Sequence, residues 1–301
     1  MLHSSVSPQE KRAHLRDLLG QSQIVRMPGA FNPLSAKAIG RFSFEGVYIS
    51  GAVIAAELGL PDIGLTSVTE VSERARHINR VTPLPTLVDA DTGFGEPMNV
   101  ARTVALMEDA GVSGLHIEDQ VNPKRCGHLD GKAIVDQETA LKRIRAAVDA
   151  RRDPNFLIVA RTDSRAVVGF DESLKRAHSL VEAGADAVFP EALESLDEFE
   201  QFATALSVPI IANMTEFGKS SLYSARNLED AGVSLVIYPV SLLRLAMGSV
   251  LTGLDTLSRE GTLESTLGQM QTRSDLYDLL EYESYSLFDS EVFNFTLDRD
   301  Q

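Results

Sequence analysis

The chain has 301 residues, with 28 Lys and Arg against 43 Asp and Glu and a formal net charge of −15. So acidic a surface repels nucleic acid and anionic membranes, and an anionic ligand would have to be held locally by a metal ion or a few converging basic side chains. A single cysteine excludes an intramolecular disulfide and fits a reducing compartment, and no stretch approaches the length of an apolar membrane span.

In chain order, residues 1–22 are predicted to form an N-terminal helix, and their polar start lacks the basic-then-apolar layout of a secretory signal. A cytoplasmic protein is therefore expected. Short apolar, β-branched runs follow at 24–27, 46–49, 85–88, 114–117, 156–160, 187–189, 209–212 and 235–237. Between them lie stretches of helical period at 99–110, 139–150, 172–183 and 196–206, with Asp136 and Asp171 placed to cap two of them. Near-continuous apolar strands alternating with helices imply parallel strands covered by helices. Eight such units close most simply into an α/β fold of the (β/α)8 TIM-barrel type; an open doubly wound sheet is the runner-up. Polar groups follow nearly every run, and a barrel gathers those ends on one face where an open sheet would spread them. Beyond residue 240, 242–257 and 262–280 read as helices, followed by an acidic, aromatic-bearing tail. The expectation is one barrel domain over 1–301 with a C-terminal helical extension from about 258 to 301. Surplus helices of this kind commonly pack on a neighbouring subunit, which points to a homo-oligomer.

Cys126 stands in the run Lys124-Arg125-Cys126-Gly127-His128. Neighbouring positive charge favours a thiolate and puts a proton-transfer group where an anion would bind. A core cysteine would instead have apolar neighbours. Lys124 and His128 are read as setting the charge around the thiol. Asp89 and Asp91 flank Ala90, so on a strand both carboxylates point to one side, here at its C-terminal end. Hard oxygen ligands suit Mg2+, or Mn2+ as a substitute, although turn aspartates give the same pattern. Glu118 is read as supporting that ion through water. A 2-oxo or 2-hydroxy acid could chelate it, and the ion would then stabilise an enolate forming on the same fragment.

Ser50, Gly51 and Ala52 close the second run, where backbone N–H groups could hold a carboxylate or simply make a tight turn. Asp62 fits a base, a metal partner or a helix cap. Arg161, Arg244 and Arg273 are candidate forks for carboxylates. Glu191, Asn213, Met214 and Thr215 follow strand-like runs, where they could orient hydroxyl and carboxylate oxygens. His116, inside an apolar run, is read as a packed histidine.

Together these residues resemble the isocitrate lyase and phosphoenolpyruvate mutase superfamily, from about residue 28 to 273. The sharpest element is Lys124-Arg125-Cys126-Gly127-His128, which is similar to the signature loop of the carbon–carbon lyases. Val88-Asp89-Ala90-Asp91-Thr92-Gly93-Phe94-Gly95 and Ile117-Glu118-Asp119-Gln120 are similarly characteristic. Within the lyases, the short length, Asn213-Met214-Thr215-Glu216-Phe217-Gly218 and Gln271-Thr272-Arg273 are most similar to the 2-methylisocitrate lyases.

The resemblance implies Mg2+-dependent cleavage of a tricarboxylate, 2-methylisocitrate, to pyruvate and succinate in the methylcitrate route of propionate breakdown. It also implies a barrel with a helix exchanged between subunits, usually in a homotetramer. Carried over, Ser50, Gly51 and Ala52 bind the pyruvate moiety and Asp89 and Asp91 serve the metal. Cys126, Gly127, Arg161, Glu191, Asn213, Thr215, Arg244 and Arg273 contact substrate. Cys126 is then the acid for the succinate fragment, while Asp62, or Tyr48 acting with a carboxylate, takes the hydroxyl proton. One departure bears on pocket width: Ala52-Val53 follows Gly51 where the family has a run of glycines, and the loop to Asp62 is one residue shorter. Isocitrate stays open as a substrate, since one methyl group is worth only about 1–3 kcal/mol in a pocket. Hydrolysis or decarboxylation of oxaloacetate-like acids is the further alternative, and the Lys124–His128 run argues against it.

Overall fold

Eight parallel strands run in order: β1 (Val25–Pro28), β2 (Val47–Ile49), β3 (Thr86–Asp89), β4 (Gly114–Glu118), β5 (Leu157–Thr162), β6 (Ala187–Pro190), β7 (Ile211–Asn213) and β8 (Leu235–Tyr238). They belong to a computed structural model that describes residues 4–125, 127, 131–218 and 220–295. Strands β2 to β6 pair in chain order, and β1 pairs with β8, which pairs with β7. Single bridges from Gly29 to Tyr48 and from Val188 to Ile210 join the remaining edges and close the ring. A doubly wound sheet would keep two open edges, so the closed order excludes it. Most strands run one or two residues further toward their C-terminal ends than hydropathy predicts. Several of the added residues, Asp89, Glu118, Arg161 and Asn213 among them, are polar but still lie within the strands.

Side chains alternate with period two along each strand. Met27, Tyr48, Leu87, Val159, Phe189 and Ile237 pack together inside the barrel. Their neighbours Val88, Ile117, Ile158 and Ala160 pack in a separate cluster with the covering helices. The N-terminal helix, Pro8–Leu19, starts with a capping box between Ser7 and Glu10 and adds Leu15 to the interior cluster. Arg12 holds it down by donating to the Val112 and Glu108 carbonyls and pairing with Asp153 at 3.0 Å. This helix covers the N-terminal end of the barrel and leaves the C-terminal ends for chemistry.

The same helix buries Lys11, whose ammonium donates to the Asn79 carbonyl at 2.8 Å. Burial lowers its pKa from 10.5 to about 8. The unfolded chain keeps that proton up to about pH 10.4. Between pH 8 and 10.5 the unfolded state therefore binds more protons than the native one, and stability rises with pH. Chemical unfolding of the parent and Lys11→Met at pH 7.5 and 10.5 should show the parent gaining on the order of 3 kcal/mol relative to the variant. A pH-independent difference would contradict this account of Lys11.

Helices Pro97–Asp109, Gln137–Ala150, Phe170–Glu182 and Leu196–Ala205 lie where the helical period predicts them. Asp136 caps the second of these by accepting from the Thr139 N–H at 2.8 Å. Asp171 does not cap: Gly169 holds that position, and Asp171 lies in the first turn, where a negative charge suits the helix dipole. The segment predicted as one helix at 262–280 is broken into a 3-10 helix, Glu264–Gln269, and an α-helix, Arg273–Leu279. Thr272 and Asp275 form a capping box that starts a new helix there, a local signal that apolar period does not carry. After β8, the helix Ser241–Glu260 leaves Leu245, Leu251 and Leu254 exposed at 70, 64 and 57%. Among the described residues, no helix is long and apolar enough to cross a membrane.

Candidate active site

The C-terminal strand ends surround a cavity of about 230 Å³. Tyr48, Ser50, Asp62, Asp89, Arg161 and Glu191 line it together with Asn213, Thr215 and Arg244. Strand alternation explains this selection, because residues two apart on each strand point to the same side.

At the end of β3, the N–H groups of Gly51 and Asp91 each donate to the Asp89 carboxylate at 3.1 Å. A Cβ on Gly51 would stand 3.0 Å from Asp89 Oδ2 and 3.2 Å from Asp91 Oδ1, so glycine lets β2 approach both carboxylates. The Gly51 N–H is thus engaged by Asp89, while Ser50 and Ala52 face the cavity. Burial alone would raise the Asp89 carboxyl, but His116, Lys124 and Arg161 bring it down to about 2. Burial raises Asp91 to about 6, against Lys124 and with the charge of Asp89 adding to it.

Lys124, read above as setting the charge around the thiol, faces the carboxylates of the cavity wall. Its buried ammonium pairs with Asp62 and stands 2.7 Å from Asp91 Oδ1, where the carboxylates of two segments converge. Its charge neutralises them. Glu118 ends β4 close to Asp91 and Lys124. It lies directly across the β4–β5 ladder from Arg161, so its carboxylate meets that guanidinium at 3.3 Å and does not line the cavity. Burial holds Glu118 well above the usual carboxylate range, and both its oxygens lack a hydrogen bond.

Among the described residues, no group of three or more His, Cys, Asp and Glu side chains converges enough to hold a metal by itself. Asp89 and Asp91 nevertheless fit Mg2+, which keeps several waters and takes one or two protein carboxylates. Asp91 Oδ1 is buried with Lys124 2.7 Å away, and a carboxylate with its several lone pairs has acceptor capacity left for a cation beside that ammonium.

Behind the aspartates, Tyr48 Oη and His116 Nε2 are 2.6 Å apart, with the rings nearly parallel and their centroids 5.9 Å apart. Phe189 meets the His116 ring edge-on at 5.3 Å, and Asp89 Oδ1 is 3.7 Å from Nε2. Burial pushes His116 down to about 4 and Tyr48 well above 10. His116 is packed, as predicted, but it is also hydrogen-bonded to a residue of the cavity wall.

Arg161 is held by a bidentate pair with Asp163, at 3.0 and 3.2 Å, and its guanidinium carbon stands 5.2 Å from the Phe189 ring centre. Asp163 also pairs with Lys132 at 2.8 Å, and Lys132 donates to the Gly127 carbonyl. The segment after β4 is thereby tied to β5. A Cβ on Gly127 would overlap Arg161 Nη2 and Glu191 Oε1, so any other residue here would have to push those two side chains out of place. Asn213 Nδ2 donates to Glu191 at 3.3 Å, and Arg244 donates to Thr215 Oγ1 at 3.1 Å.

Two further predicted site residues do not line this cavity. Met214 alternates with Asn213 and Thr215 and so points outward, where its sulfur accepts from the Tyr223 N–H and it packs with Phe199 and Phe202. Arg273 begins an exposed helix and does not line the cavity. Cys126 and His128 lie outside the described residues.

The family model described as phosphoenolpyruvate phosphomutase matches residues 15–257. The chain belongs to the phosphoenolpyruvate phosphomutase family. It is 55% identical to a protein named probable 2-methylisocitrate lyase 2 from Corynebacterium glutamicum, over 99% of this chain and 97% of that one. A solved structure of oxaloacetate acetylhydrolase in complex with the inhibitor 3,3-difluorooxalacetate superposes with a TM-score of 0.89 and 30% identity, covering 97% of this chain and 100% of that one. A phosphonopyruvate hydrolase complex with oxalate and Mg++ superposes with a TM-score of 0.85 and 27% identity, covering 94% of this chain and 99% of that one.

For this member of the phosphoenolpyruvate phosphomutase family, sequence reasoning missed Asp163, Lys132 and Phe189. Asp163 was findable, since it follows Arg161 by two and shares its side of the strand. Phe189 gave no signal, because an aromatic residue in a strand is ordinary core.

Proposed function

We propose that the chain is a Mg2+-dependent carbon–carbon lyase that cleaves 2-methylisocitrate to pyruvate and succinate. The observation that carries this reading is its full-length likeness to proteins named 2-methylisocitrate lyase. The cavity supports it. A tricarboxylate needs several cations, and Arg161 and Arg244 line the same cavity as Asp89.

Asp89 and Asp91 would hold Mg2+, which when bound would supply positive charge to the carboxylate and hydroxyl oxygens of the pyruvyl half. Ser50 and Ala52 lie beside that half, while Gly127, Glu191, Asn213 and Thr215 orient the remainder. Asp62 or Tyr48 takes the hydroxyl proton, and Lys124 holds Asp62 in place. As the carbon–oxygen bond becomes a carbonyl, the carbon–carbon bond breaks and its electron pair stays on the succinate half. Cys126, with His128 two residues away, gives its proton to that carbon. The pyruvyl half therefore leaves as a ketone, not as an enolate, which corrects the expectation drawn from the aspartates alone.

The proposal extends to cytoplasmic propionate breakdown and to one barrel domain in a homotetramer with exchanged C-terminal helices. The exposed leucines of Ser241–Glu260 support an interface there. The protein should be incubated with Mg2+ and 2-methylisocitrate, isocitrate or oxaloacetate and the products identified. Pyruvate and succinate should form from the first, stop with EDTA and return with added Mg2+. Faster turnover of isocitrate, or acetate and oxalate from oxaloacetate, would overturn the reading.

A further inference from the structure

We infer that His116 is a positioning residue. It fixes the Tyr48 hydroxyl so that Tyr48 gives a hydrogen bond to an oxygen of the pyruvyl half and is not the base. This rests on the lyase reading above and deepens it by separating the two candidate bases.

Oη of Tyr48 and Nε2 of His116 are 2.6 Å apart, so one hydrogen lies between them, and its owner decides what Tyr48 can do. Two observations put it on His116. Nδ1 is buried with no hydrogen-bond partner among the described residues, and a buried N–H without an acceptor is rare and costly. The ring hydrogen therefore belongs on Nε2. There it also lies near Asp89 Oδ1, at 3.7 Å from the nitrogen. An imidazolium would carry a hydrogen on Nε2 as well, so the assignment does not depend on the charge of the ring.

Tyr48 then accepts from His116, and its own hydrogen remains. His116 is the only hydrogen-bond partner of this hydroxyl among the described residues, and Tyr48 lines the cavity. Phe189 against one side of the imidazole and the Tyr48 ring parallel to it keep the pair from swinging. A preorganised O–H aimed where the substrate oxygen gains charge lowers the barrier to cleavage. The proton removal falls to Asp62.

The 15N shifts of the ligand-free protein labelled at histidine, with His116→Gln to assign the signals, should show His116 protonated on Nε2. A ring protonated on Nδ1 alone overturns the proposal. In turnover of 2-methylisocitrate, Tyr48→Phe and His116→Leu should each lower kcat about 10²–10³-fold. The double variant should fall no further than Tyr48→Phe, and His116→Gln, which keeps an N–H near Nε2, should recover most of the loss. Losses that multiply, or a His116→Leu variant with kcat near the parent's, overturn it. If His116→Leu does not fold, the tautomer and the pair Tyr48→Phe and His116→Gln still decide. If the parent leaves 2-methylisocitrate uncleaved, the lyase reading fails, and the tautomer, read without substrate, still tests His116.

Discussion

Cys126→Ser should fold like the parent and cleave 2-methylisocitrate about 10²–10⁴-fold more slowly, the loss typical of removing a proton-transfer group. A serine hydroxyl is far less acidic than a thiol, so the succinate carbanion would wait for a proton it is not given. The next residue, Gly127, lines the cavity and packs so closely on Arg161 and Glu191 that a Cβ there would displace their side chains. Lys124, two residues before, reaches the aspartates of the same wall. The thiol's chain neighbours thus belong to the cavity wall. Steady-state turnover and the exchange of succinate carbon-bound hydrogen with heavy water check this. Both should fall together. Loss of turnover with undiminished exchange would assign the proton to another group.

Arg161→Leu should lose activity and also about 3–5 kcal/mol of stability, because it leaves buried Glu118 without the guanidinium it meets and Asp163 with Lys132 alone. Asp163 and Glu118 are both in contact with this guanidinium and almost fully buried. The penalty should shrink as pH falls, since burial holds the Glu118 carboxyl above the usual range and, once protonated, it no longer needs a counter-charge. Arg161→Lys should keep much of the stability but little of the activity, as an ammonium cannot make the bidentate pair with Asp163 that aims the side chain. Chemical unfolding at pH 8 and 5.5, with kcat/KM for each variant, tests both halves. A leucine variant equally stable at the two pH values would contradict the charge account.

The order of elements was legible because it rests on local rules. Apolar runs of strand length alternate with helical stretches, and every predicted run overlaps an observed strand. The site was legible where it rests on strand period: Asp89, Arg161, Glu191 and Asn213 end strands or follow them directly, and all line one cavity. Met214 shows the same rule neglected, for its alternation with Asn213 and Thr215 already turned it away from that cavity.

By itself, then, the chain determined that there would be eight parallel strands, which ends would carry polar groups, and which family's motifs those groups compose. Tertiary structure alone decided which charge meets which. Lys124 pairs with Asp62, some sixty residues earlier in the chain, and Glu118 meets Arg161 only because β4 and β5 lie side by side in that register. Tyr48 finds His116 across the interior of the barrel. Attraction between charges and hydrogen-bonding groups depends on distance in space, and closing the ring sets that distance between residues the sequence holds far apart.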